Sequence, residues 1–170
     1  MAFTVEDGSG VAGANSYVSI ADANAYFADR NDSTWAGLQD EVKQKGILDA
    51  TAYIEAKYRG SWVGSLYDTA QGLSWPRIGA YDPEGRDLDG GVPVDLIAVV
   101  CRLALQSATS GDLEVAQDRG GQVKREKVGP IETEYEPGAP AGSTYPYVDD
   151  MISGLVRGGG HSLTAELRRT

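Results

Sequence analysis

Glycine and proline are unevenly spread along this chain, and their placement limits where regular structure can form. The 22 glycines and seven prolines crowd positions 120–121, 129–146 and 158–160. Glycine leaves the backbone too free and proline removes an amide donor, so such stretches interrupt helices and strand ladders. Compact segments joined by extended ones remain. A chain of 170 residues with 41% hydrophobic content is long enough for one core of this kind.

Between the interruptions the apolar residues follow helical spacing. Residues 1–18 read as an extended N-terminal segment, small, glycine-rich and acidic over 4–14. Ser19, with Asp22 three residues on, predicts a helix start, and Ile20, Ala23 and Phe27 share one face of a helix over 20–30. After the turn signal Asn31-Asp32-Ser33, Trp35 and Leu38 fall on a short helical turn. Asp40 is the predicted cap of a long helix running to Tyr58, and Gly60 ends it. Ile47, Ala50, Thr51, Ile54 and Tyr58 recur at offsets that stack side chains on its core face. A third helix is expected to open with Pro93 as its first residue, carry Asp95 at its positive end and close at Gly111. Leu96, Val99, Val100, Leu103 and Ser107 form its stripe, with Cys101 beside it as a small apolar residue.

These helices make a core over 19–111 into which an ordered loop, 61–92, is inserted. That loop holds Trp62, Leu73 and Trp75 and the turn signals Asp82-Pro83 and Asp89-Gly90-Gly91, without a sustained period. In Leu73-Ser74-Trp75-Pro76-Arg77 the proline excludes Trp75 from helical backbone. Its indole is expected to turn inward, with Arg77 facing water or a partner.

Downstream, 120–137 reads as a β-hairpin. Ile131, Thr133 and Tyr135 alternate with Glu132, Glu134 and Glu136, while the opposing arm carries Lys124, Arg125 and Lys127, so antiparallel pairing sets opposite charges across from one another. Exposed pairs add little stability, and these six charged residues are expected to set register or to meet an adjacent copy of the chain. A linker and final helix follow over 138–157, opened by Pro146, with Val148, Met151, Ile152 and Leu155 on its apolar face and 158–160 as its stop. Residues 158–170 read as a flexible tail with Leu163 and Leu167 four apart, followed by Arg168 and Arg169. The expected fold is mainly α: a small bundle of three to four helices with a projecting β-hairpin and an extended C-terminal arm.

The residue pattern argues against several functions. A formal charge of −10 repels phosphate backbones and disfavours tight DNA binding. No apolar run approaches membrane-spanning length, and the start lacks the pattern of a secretory leader, so no membrane partner is expected and the chain should remain in the cytoplasm until assembled. Cys101, the only cysteine, leaves no internal disulfide and no cysteine cluster for a metal. The only histidine, His161, follows three glycines, where nothing holds it beside a nucleophile. The glycine run lacks the lysine and hydroxyl residue of a phosphate cradle. Asp149 and Asp150 diverge on adjacent helix positions and read as a solvated face. The chain is therefore expected to be no enzyme and to carry no cofactor or metal. Trp75 with Arg77, and Tyr58 with Arg59, are the fragments of an aromatic and basic pattern that could stack and neutralise single-stranded DNA, though core anchoring explains the aromatics more simply.

Val5-Glu6-Asp7-Gly8, the run from Ala14 through Ser19, Ala21-Asp22-Ala23 with Tyr26-Phe27, Leu73-Ser74-Trp75-Pro76-Arg77 and Val92-Pro93 together resemble head-tail connector (adaptor) proteins of tailed phages and prophages. Lys127-Val128-Gly129-Pro130-Ile131 with Tyr135, and Tyr145-Pro146, resemble members of that group labelled DnaT-like putative single-stranded DNA-binding proteins. The resemblance reaches to about Leu155. It implies a helical bundle with a projecting hairpin, assembled as a homo-oligomeric ring, a dodecamer, beneath the portal protein and in contact with tail or neck proteins. Double-stranded DNA would pass through the channel without specific binding, and the location would be the virion. The resemblance also implies a portal contact for the C-terminal segment, which here falls on Leu163, Leu167, Arg168 and Arg169. The alternative is a DnaT-like single-stranded DNA-binding replication accessory.

Overall fold

The computed structural model describes residues 2–111, 113, 123–127, 132–135 and 145–157. Helix α1 spans Ile20–Ala28, α2 Ser33–Ala36, α3 Asp40–Tyr58, α4 Val94–Ser110 and α5 Pro146–Met151, with a 3-10 turn at Ser153–Leu155. Two short antiparallel ribbons complete the description: β1 (Ser65–Leu66) with β2 (Arg77–Ile78), and β3 (Val123–Lys127) with β4 (Glu132–Tyr135). The fold is mainly α, a small bundle with a two-stranded hairpin. The C-terminal arm expected over 158–170 lies outside the described residues.

The centre of the bundle is the pairing of α3 with α4. Ile47, Ala50, Thr51, Ile54 and Tyr58 are all buried on α3, and Leu96, Val99, Val100, Cys101, Leu103 and Ser107 are buried on α4. Each large apolar side chain among them contributes about 1.5–3 kcal/mol by leaving water. Gly46 fixes how close the helices come: a Cβ there would lie 2.5 Å from the Ala104 carbonyl oxygen. Ser107 enters the apolar stripe because its hydroxyl donates to Asp49 across the helix pair at 2.6 Å.

Several helix ends differ from those the sequence suggests. Ser19 accepts from the Asp22 amide as expected, but α1 stops at Ala28, where Arg30 donates its guanidinium to the Tyr26 carbonyl and Asn31 turns the chain at φ 53°. Asp40 is not the cap of α3. Gln39 occupies that position without a side-chain bond, and Asp40 is the first helical residue, 3.7 Å from the Lys43 ammonium. Pro93 is likewise the cap of α4 and not its first residue, because its extended ψ of 143° precedes the helix while its carbonyl accepts from Ile97. Gly111 closes α4 as expected, at φ 94°.

The final helix is shorter than its apolar spacing implies. After Met151 the chain tightens into the 3-10 turn, which brings Leu155 into the core beside Val148 and Ile152 and sets Gly154 against the Pro83 ring. Nor is Asp149 simply solvated. Its carboxylate accepts from the Tyr58 hydroxyl at 2.5 Å and from Lys57 at 3.0 Å, fastening α5 to the end of α3.

Candidate interaction surface

The loop 61–92 has no helical period, and polar side chains hold it in place. Glu55, buried on α3, receives the Tyr17 hydroxyl from the N-terminal segment, the Ser74 hydroxyl at 2.8 Å and the Ser74 amide at 3.1 Å. The Tyr17 oxygen in turn accepts from the Trp75 amide at 3.3 Å. Burial first, and then the neighbouring Glu55 charge, push the Tyr17 hydroxyl well above its ordinary pKa, so it remains a donor. Three distant parts of the sequence thus meet at one carboxylate, and Trp75 is turned fully inward against Trp62.

Arg77 corrects the expectation that it faces water or a partner. Its side chain is buried and donates to the carbonyls of Val63 at 2.5 Å, Ser74 at 3.0 Å and Gly64 at 3.0 Å. Loop carbonyls with no ladder partner need donors when buried, and a guanidinium supplies several in one plane. Burial, then the nearby Arg157 charge, lower its pKa from the usual arginine value. Neither aromatic and basic pair proposed from the sequence is therefore free to read DNA. Trp75, Tyr58 and Arg77 are buried, so neither aromatic can stack on a base; Arg59, 70% exposed, reaches back to Glu55 at 3.3 Å.

The same use of cations extends across the described residues. Arg30 lies over the Tyr26 ring, Lys45 meets Asp49, Lys57 meets Asp149, Arg86 meets Asp82 and Glu84, Arg102 donates to the Tyr26 hydroxyl and Arg157 to the Gly64 carbonyl. With Lys43, Arg59 and Arg77, every lysine and arginine whose side chain is described has a partner within the chain. Burial raises the Cys101 thiol to about 12, which keeps it protonated and unreactive at neutral pH.

Among the charged and polar groups the loop exposes lies an apolar patch. Tyr67 is 50% exposed and Tyr81 53%, and Leu66 and Ile78 are exposed beside them on and around the β1–β2 ribbon. Alternation along the ribbon, where Ser65 pairs with Ile78, places Ser65, Tyr67 and Ile78 on one face. The sequence reading missed this patch, whose signal was the short alternating run Ser65-Leu66-Tyr67 opposite Arg77-Ile78.

Of the site residues expected from the sequence, Lys124, Arg125 and Lys127 lie on β3 and Glu132 and Glu134 on β4. The register sets Lys127 opposite Glu132 and Arg125 opposite Glu134, with an irregularity between Val123 and Arg125 that contains Lys124. Basic and acidic positions are therefore paired in the backbone register, as the sequence suggested. Glu136, Leu163, Leu167, Arg168 and Arg169 lie outside the described residues.

Comparison with curated proteins and with solved structures returns no match. A family model does match, over residues 1–170, and its description is "Putative DnaT-like ssDNA binding protein". That description bears on single-stranded DNA and names no connector. The chain belongs to this DnaT-like family along its whole length.

Proposed function

We propose that the chain is a non-enzymatic structural subunit that works through protein contacts, as a head-tail connector (adaptor) forming a ring below a phage portal. The observation that carries this reading is the internal use of every described cation on a chain of net charge −10. Such a body repels phosphate while the exposed apolar ribbon of Tyr67 and Ile78 suits contact with protein. In a ring, the same acidity would keep passing double-stranded DNA from adhering to the channel wall.

A second reading is single-stranded DNA binding in replication, and the family match favours it over the connector. Its cations would be among those whose side chains are not described: Lys124, Arg125 and Lys127, with Tyr135 on the facing strand, together with Arg168 and Arg169. Basic residues interleaved with an aromatic are what stacking and phosphate neutralisation require.

One pair of measurements separates them. Anisotropy of a labelled oligonucleotide with the full chain at moderate salt should show no submicromolar binding, and the chain should co-purify with the portal and appear in assembled particles. Submicromolar affinity for single strands that is lost in K124E/R125E/K127E, with absence from particles, would replace the connector by the DNA-binding reading.

A further inference from the structure

A groove of about 470 Å³ runs between the 82–88 turn, the start of α4 and the end of α5. Its apolar lining comes from Leu88, Val94, Met151 and Leu155; its charged lining holds one cation, Arg86, paired with Asp82 and Glu84, and two further carboxylates, Asp87 and Asp95, so acid predominates. Val94 is 79% exposed, more than any other large hydrophobic residue described. It occupies the first turn of α4, where a polar residue would form the helix equally well, so helix formation does not account for an apolar side chain there.

We infer that this groove takes the chain's own segment 161–170, with Leu163 and Leu167 on the apolar lining and Arg168 and Arg169 toward the acidic rim. Three observations choose this occupant. Leucines four apart share one helical face, the spacing by which a short amphipathic segment enters an apolar groove. The two arginines outweigh Glu166 in that segment and oppose the sign of the rim. Chain connectivity supplies the third: Leu155 is part of the groove wall, and Leu163 follows eight residues later across glycines 158–160. That length spans up to roughly 26 Å when extended, and glycine permits the reversal. A short link makes the encounter intramolecular, so modest contacts suffice. The inference holds under either reading of function. Docked this way, the leucines and arginines would be covered until a competing partner surface displaces them.

The test uses the full-length protein carrying a nitroxide at Ala165→Cys. Cys101 is buried with a raised thiol pKa, so the engineered thiol takes the label selectively. Methyl spectra are recorded with the labelled chain diluted in unlabelled protein of natural isotope abundance. Most of the Val94 and Met151 signal should be lost relative to the reduced label; both should return with Leu163→Glu/Leu167→Glu or at high salt, and the Met151 signal should return with the exposed change Val94→Asp. Full Val94 and Met151 intensity in the oxidised sample would overturn the inference. So would attenuation that appears only when spin label and isotope label are on different molecules, since the occupant would then be a second copy.

Discussion

The α3–α4 pair and the loop 61–92 both bury large side chains, but they are held by different forces. In the helix pair, backbone bonds are satisfied locally and the two stripes meet chiefly by apolar packing, with Gly46 setting the approach and Ser107–Asp49 as a polar link. In the loop, few backbone groups pair with one another, and Arg77, Glu55 and Tyr17 supply the missing partners. Packing between periodic faces tolerates small shifts. A polar node does not, because removing one member strands the others in a dry site.

This contrast can be broken from either side. Trp75→Ala, which empties the space between the node and Trp62, should cost about 3–5 kcal/mol and show as a large fall in unfolding temperature. Arg77→Met keeps side-chain bulk but leaves the carbonyls of Val63 and Ser74 without their guanidinium donor and Gly64 with Arg157 alone; a loss of about 2–3 kcal/mol is expected. Denaturant melts would read it, with early hydrogen exchange in 61–92 but not in α4. Equal loosening of both regions would mean that they are one cooperative unit. On the helical side, Gly46→Ala should cost about 1–3 kcal/mol by overpacking against Ala104, although alanine is the better helix former. A neutral result would show that the helices can slide apart.

The smallest effect concerns the tie between α5 and α3. Burial alone would raise the Asp149 carboxyl, but the Tyr58 hydroxyl and Lys57 hold it below its ordinary value of 3.8. A carboxyl depressed in the folded state stabilises the fold above that ordinary value, and the contribution fades as pH falls through the lower folded-state pKa. Acid melts of Asp149→Asn should therefore lose part of the wild-type slope below pH 3.8. An unchanged slope would assign acid sensitivity elsewhere.

The same division decides what could be read from the residues. Every residue assigned to the α3 and α4 stripes is buried, because a period of 3.6 is a property of local sequence. Trp75 also turned inward as its following proline suggested. Arg77 was misjudged because its acceptors are backbone carbonyls, which carry no mark in a sequence. Asp149 was misjudged because Tyr58 stands 91 positions away. The pairing of a basic arm with an acidic one was legible from the residues, though not its register, whereas the apolar ribbon of Tyr67 and Ile78 depends on two-residue strands too short to announce themselves.

The close of the described chain also has a mechanical side. Val63 donates its amide to the Leu155 carbonyl, the Arg157 amide donates to Ser61, and the Gly64 oxygen is shared by the guanidiniums of Arg157 and Arg77. A pull applied downstream of Arg157 would load this antiparallel seam before it reached the helices. The seam is made with the tryptophan-bearing loop itself and ends on the oxygen that Arg77 also grips, so tension would pass through Gly64 to the Arg77 guanidinium and the carbonyls it holds.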